Sequence, residues 1–205
     1  RIADAVTSVL PFMKDHIDRA PVLEYRVEQV ALPRRTLTEE DIKTPRSTHH
    51  RPELETVEQA YDRLLGEYRN IRQELEEHPE RKEKSGWYGP LTAVFWRLAR
   101  ASHVLDRFEL QKTEPTMPVE VHVIRIGDMA IATNPFELYL DYGMQIKARS
   151  KAVQTFVVQL AGRGSYLPTA RSVAGGAYGA IPESTEIGPE GGHVLVEETL
   201  KMIAS

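Results

Sequence analysis

The 205 residues contain no cysteine. A disulfide framework is therefore excluded, and so is a zinc site built on thiolates; the redox compartment is left open by the same absence. There is no excess of basic charge either. Lys and Arg number 26 against 30 Asp and Glu, for a net charge of −4, and the cations are scattered among the acids, so the chain lacks the electrostatic footprint that nucleic acid requires. No apolar run approaches the roughly 20 residues that cross a bilayer, and no charged-then-apolar leader precedes the first helical pattern, so no transmembrane segment is expected. No internal repeat or low-complexity tract occurs. What is present is an ordinary globular composition, 41% hydrophobic and 27% charged, long enough for one sizeable core. The sequence opens at Arg1 directly on a helical pattern, without Met, which leads us to expect a fragment or a processed piece.

Apolar periodicity divides the chain into elements. Ile2, Val6, Val9, Leu10, Met13 and Ile17 recur at helical spacing over 2–17, with a kink expected at Pro11. Residues 22–32, VLEYRVEQVAL, alternate through Leu23, Tyr25 and Val27 as a strand does, and Pro33 ends the run. The polar stretch 34–53 reads as an excursion. Over 54–77, Leu54, Val57, Tyr61, Leu64, Leu65, Tyr68, Ile71 and Leu75 make one face of a long helix. Over 87–108, Trp87, Leu91, Val94, Phe95, Leu98, Leu105 and Phe108 do the same, predicting a helical hairpin packed through these stripes.

The second half changes character. VEVHVIRI (119–126) and MAIAT (129–133) flank a Gly127-Asp128 turn as a β-hairpin. Asn134-Pro135 breaks the chain, and 137–150 reads as a helix with Leu138, Tyr142, Ile146 and Met144 inward. The β-branched run Val153–Leu160 suits a strand buried on both faces, as parallel sheets require. Pro189 opens a last helix over 190–204, with Val194, Leu195, Leu200 and Ile203 inward. This order is α/β, and in open α/β sheets ligands gather beyond the carboxyl ends of strands. Both Asn134-Pro135-Phe136-Glu137 and the glycine-rich stretch GRGSYLPTARSVAGGAYGA (162–180) lie there.

That stretch, in which neither helix nor strand is legible, could cradle a phosphate, form a plain surface loop, or present Tyr166 and Tyr178 to a reaction centre. The dinucleotide pattern G-x-G-x-x-G fails, because its third glycine position is Leu167 and Pro168 follows; the Walker Gly-Lys-Ser/Thr is absent. Each remaining candidate also has a structural explanation. Glu137 inside a helix N-terminus would be favoured by the dipole alone, and either tyrosine could simply pack a loop against the sheet.

Taken together, VEVHVIRIGDMAIAT, NPFE, a helix, TFVVQLA, GSYLPTARSVAGGAYGA and GPEGGHVLVEETL resemble the carboxyl-terminal part of the catalytic domain of neutral ceramidases. The resemblance is good over 119–205, plausible over 1–40 and weak over 41–118. It implies one α/β unit spanning 1–205, a mixed sheet with flanking helices and an inserted helical hairpin at about 54–108, within a larger catalytic domain. By the resemblance, Glu137 and Tyr166 would be zinc ligands and Tyr178, twelve positions after Tyr166, would assist the chemistry. It implies hydrolysis of an N-acyl amide of a lipid-like, sphingolipid-type substrate in a secreted or periplasmic setting. The histidine ligands, serine and arginine of the family lie upstream of anything matching Arg1, so the 205 residues alone are expected to be inactive. The residue types suit the chemistry: zinc accepts carboxylate and imidazole and can draw the proton from a phenol, and a second phenol can donate to an oxyanion.

Three departures stand against the pattern. Phe136 replaces the family's glycine, GRGS replaces the asparagine that opens the loop, and Gly179 replaces a glutamate. Thr48-His49-His50 reads as a solvated loop rather than a metal site, His122 as a packed or surface residue, and His193 as a helix-start residue near the site's mouth. His16, His78 and His103 carry no signal. The alternative reading is a non-catalytic α/β binding or interaction module that kept the scaffold and docks a partner through its Trp-lined hairpin.

Overall fold

The computed structural model describes residues 1–14, 17–43 and 55–205. Helix α1 (Ile2–Met13) precedes strand β1 (Leu23–Pro33), short helix α2 (Glu39–Lys43) and the long helices α3 (Val57–Glu77) and α4 (Gly89–Leu110). Then come β2 (Thr116–Ile126), β3 (Met129–Thr133), the two-residue β4 (Glu137–Leu138) and helix α5 (Leu140–Arg149). Strands β5 (Gln154–Val158) and β6 (Tyr166–Leu167), short helix α6 (Ala170–Ala174) and helix α7 (Pro189–Ala204) complete the order. The chain is α/β: β1, β2, β3 and β5 form a mixed sheet in that order, antiparallel except for the parallel pair β3–β5, with helices alongside.

Alternation in the strands sets which side of the sheet is buried. Val119, Val121 and Val123 of β2, Ala130 and Ala132 of β3 and Val30 and Leu32 of β1 are buried. Helices α5 and α7 cover that face with Tyr142, Ile146, Leu195, Val196, Met202 and Ile203, all in one core. Gly127 turns the β2–β3 hairpin at a φ of 60°, a conformation that costs other residues more. Arg149 forks onto the Glu197 carboxylate at 2.5 and 2.8 Å, joining α5 to α7; both side chains are half exposed, so solvent screens the pair and it fixes geometry more than it adds stability.

The opposite face departs from the sequence reading. The alternation of Leu23, Tyr25 and Val27 is real, but these side chains are 70, 60 and 47% exposed because they point away from α5 and α7. They continue across the strands as a row, Tyr25–Ile124–Ile131–Phe156. Strand β5 is likewise not buried on both faces. It pairs in parallel with β3, as its composition suggests, but it is the edge strand, and Phe156 and Val158 remain 48 and 43% exposed. Helix α1 keeps Pro11 within it and has no buried residue, so the inward face expected of Ile2, Val6, Val9 and Leu10 is exposed.

Helices α3 and α4 pack against each other. Thr56 caps α3 reciprocally with Gln59: the Gln59 backbone N–H donates to Thr56 Oγ1 at 3.2 Å and the Thr56 N–H to Gln59 Oε1 at 2.8 Å. A small second core forms from Leu37, Val57, Ala101 and Val104. The buried line of α4 therefore runs through Val94, Ala101 and Val104, whereas Phe95 of the expected stripe is 46% exposed and Trp87, 37% exposed, lies in the turn before the helix. Small residues on that line let the helices approach, and the Phe95 ring, about 100° around the helix from Val94, is left outside. Leu54, His16, His49 and His50 lie outside the described residues.

Candidate functional site

Strands β3 and β5 are parallel neighbours, so the chain leaves both at the same end of the sheet. From β3 it enters a tight turn. The buried Asn134 accepts the Phe136 N–H on Oδ1 at 3.1 Å, its own N–H donates to Val158 O, and its carbonyl accepts from Ala161 N–H. Phe136, completely buried, anchors the turn in the main core. From β5 the chain passes through 159–165, where Gly164 is required by close approach: a Cβ there would lie 2.4 Å from the Pro135 carbonyl oxygen. The two extensions then pair in parallel as β4 and β6, with Glu137 opposite Tyr166 and Leu138 opposite Leu167.

Glu137 is thus a strand residue, ahead of the helix that begins at Leu140, and the expectation that it sits inside a helix N-terminus is corrected. The burial of Phe136 and the ladder to β6, with the Glu137 N–H donating to Ser165 O at 3.1 Å, keep this segment extended. Met144, expected inward, is 58% exposed. The stretch 162–180 is also more ordered than its composition suggests. Beyond β6, Thr169 caps α6 reciprocally with Ser172, and Tyr178–Ala180 forms one 3-10 turn.

The structure brings Glu137, Tyr166 and Tyr178 together. Interaction with the Glu137 carboxylate, ahead of burial, pushes the pKa of the Tyr166 phenol up to about 12. The Tyr178 ring stands edge-on to that of Tyr166, with centroids 5.9 Å apart at 83°. Gly179 sits at the junction: a Cβ there would be 2.7 Å from Tyr166 Cδ1 and 3.0 Å from Tyr139 Oη. The departure from the family's glutamate therefore has a steric reason in this chain, and Tyr139 joins the cluster unforeseen.

Another group was missed by the sequence reading. Arg100 of α4, 78 positions away, donates from Nη1 to Tyr178 Oη at 2.8 Å and from Nη2 to Ser184 Oγ at 3.0 Å. Arg107, one further turn pair along α4, donates from Nη2 to Pro182 O at 2.6 Å, from Nη1 to Thr185 O, and from Nε to His103 O. Burial pulls its pKa down to about 10, which still leaves it charged at neutral pH. A helix-face pattern of arginines carries no sequence signal for such a contact.

Among the described residues no group of three or more His, Asp or Glu could hold a metal ion. Glu137 and Tyr166 supply two adjacent oxygen donors, which fits part of a zinc ligand set and leaves the remainder to come from elsewhere. His122 lies on the open sheet face, bonded to Tyr25 Oη at 2.7 Å and Glu120 at 3.0 Å, and His193 packs edge-on against Tyr142. A separate cavity of about 860 Å³ is lined by Arg34, Arg107 and Arg163 but also by Glu120, Glu183 and Glu186. None of Glu137, Tyr166 and Tyr178 lines it, and its opposed charges give it no preference for an anion.

Tyr142 ties the site's supports to the core. Its hydroxyl donates to Pro168 O at 2.8 Å, and burial, then Glu190 and Asp141, push its pKa up to about 12. Tyr142→Phe is expected to cost about 1 kcal/mol at pH 8. That difference from the native protein should narrow as pH rises from 10 to 12. In this window the unfolded phenol, titrating near 10, binds fewer protons than the folded one, so the stability contributed by Tyr142 falls. Urea unfolding of both proteins at several alkaline pH values checks this; a constant gap would contradict it.

No family model, curated protein or solved structure matches the chain. No helix of the described residues is long and apolar enough to cross a membrane.

Proposed function

We propose that this chain supplies part of the active site of a zinc-dependent amidohydrolase resembling neutral ceramidase, acting on an N-acyl amide of a lipid-like substrate. The observation that carries the reading is the pairing of Glu137 with Tyr166 at the carboxyl ends of two parallel strands, with Tyr178 against Tyr166. Three residues of the resembled motif, distant in sequence, converge at the position where α/β sheets bind ligands. Glu137 and Tyr166 would hold the metal, together with histidines from outside these residues. When bound, zinc would bring its water to a pKa near 7 and polarise the amide carbonyl. Glu137 is placed to take the Tyr166 proton as the phenol becomes a ligand. Tyr178 would donate to the oxygen of the amide as charge develops on it. The 205 residues alone would be inactive, and a secreted or periplasmic location belongs to the same reading.

Metal analysis of the complete protein tests this. One zinc per chain is expected, with affinity reduced at least about 100-fold in Glu137→Gln and in Tyr166→Phe, beyond the 10 to 100-fold that supporting residues give. A folded protein that binds no zinc would favour the second reading, a non-catalytic interaction module. That reading draws on exposed aromatics of the hairpin, Trp96 on α4 at 62% and Tyr88, just before the helix, at 58%.

A further inference from the structure

We propose that Arg100 is a positioning residue of the site: by donating to Tyr178 Oη it fixes the phenol as a hydrogen-bond donor, which makes the α3–α4 hairpin part of the active site. This rests on the reading of Tyr178 as the group that donates to the substrate oxygen.

The argument begins with donor and acceptor counts. A phenol oxygen can both accept and donate, whereas a guanidinium has five N–H donors and no acceptor. In the Arg100–Tyr178 bond the roles are therefore fixed, and Tyr178 Oη must accept. With its accepting side taken, the hydroxyl proton is directed away from Arg100 and left for another acceptor. A tyrosine that is 50% exposed would otherwise exchange both roles with water. The guanidinium carbon lies 5.2 Å from the Tyr178 ring centroid. The guanidinium thus holds the phenol at two points, its hydroxyl and its ring.

Arg100 is itself held. Its Nη2 is fixed by Ser184 Oγ, and its Nε is buried with no hydrogen-bond partner. A side chain that leaves a buried donor unsatisfied costs stability, which a purely structural clamp would avoid. Arg107 makes the contrast: its hydrogen bonds go to the backbone carbonyls of His103, Pro182 and Thr185, and it holds the 182–185 turn without bonding Tyr178. Two arginines of one helix thus divide the work. Arg107 fastens the segment that follows Tyr178, and Arg100 sets the orientation of its hydroxyl.

The test is read on metal-free protein carrying ¹³Cζ-labelled tyrosine, so it stands apart from the zinc measurement. In Arg100→Met the Tyr178 Cζ resonance is expected to move to that of the solvated Tyr88, while the other tyrosine resonances stay in place. Arg100→Lys, which keeps a cationic donor, should return it most of the way. Arg107→Met should lower the melting temperature and leave the Tyr178 resonance unmoved. The proposal is overturned if Arg100→Met leaves that resonance where it is, or if Arg107→Met moves it as far, since Arg100 would then act only by holding the loop. Loss of zinc binding in Glu137→Gln, or its absence altogether, reports on the proposed function and leaves this result untouched.

Discussion

Phe136→Ala is expected to lower the unfolding free energy by about 3–5 kcal/mol, the cost of deleting a large buried aromatic and leaving a cavity. Phe136 has no exposed surface and lies in the main core. It is also the residue immediately before Glu137, at the end of a turn pinned by hydrogen bonds of Asn134 to Phe136, Val158 and Ala161 and of the Phe136 carbonyl to Leu160. The loss should therefore appear at the site as well: without the buried ring, β4 loses the anchor that holds Glu137 opposite Tyr166. The resembled family has glycine at this position, so Phe136→Gly would restore the motif on paper and should be at least as damaging here. Phe136→Leu, which keeps most of the volume, should cost under about 1.5 kcal/mol. Equilibrium urea unfolding of the three variants checks the ranking, and a loss below 1 kcal/mol in Phe136→Ala would show that the turn is held by its hydrogen bonds alone.

Gly192→Val carries the second large effect. A Cβ at Gly192 would stand 2.2 Å from Tyr142 Cζ and 2.4 Å from its Oη. The ring cannot retreat, because it is buried and its hydroxyl is bonded to Pro168 O and, at 3.3 Å, to Pro189 O. A non-glycine residue in a helix ordinarily gains up to about 1 kcal/mol over glycine. Here the overpacking opposes and exceeds it, at about 3 kcal/mol. Even Gly192→Ala should destabilise. Double substitution with Tyr142→Phe should relieve little, since the clash reaches the ring carbon as well as the hydroxyl. Thermal unfolding with near-ultraviolet circular dichroism on the tyrosine signal measures both; a neutral Gly192→Ala would mean that α7 can shift away from α5 without cost.

These cases show what was legible in the sequence. The alternation of Val119, Val121 and Val123, the Gly127-Asp128 turn and the helical stripe ending at Ile203 depend on local periodicity and turn chemistry, and the elements formed where the pattern placed them. Glu137, Tyr166 and Tyr178 could be singled out by residue type, position beyond strands and resemblance. Their mutual contact could not, because it depends on β3 and β5 being adjacent and parallel, a choice made between strands more than 20 residues apart. The extended state of Glu137 was decided by the same pairing, overriding a local pattern that reads as helix.

Burial was legible only in part. Periodicity gives the face of an element that is apolar, but not whether anything lies against it, so Tyr25, Val27 and Phe156 read as core and stand on the uncovered face of the sheet. Arg100 and Arg107 illustrate the converse. On a helix face rich in charge they are indistinguishable from solvated arginines, and only the approach of α4 to the 178–185 segment gives them partners. The sequence by itself determined the elements, the absence of thiolate chemistry and the residue types available to a site, because these follow from composition and short-range pattern. The tertiary structure alone decided that a carboxylate, two phenols and a guanidinium meet, because that follows from which strands and helices became neighbours.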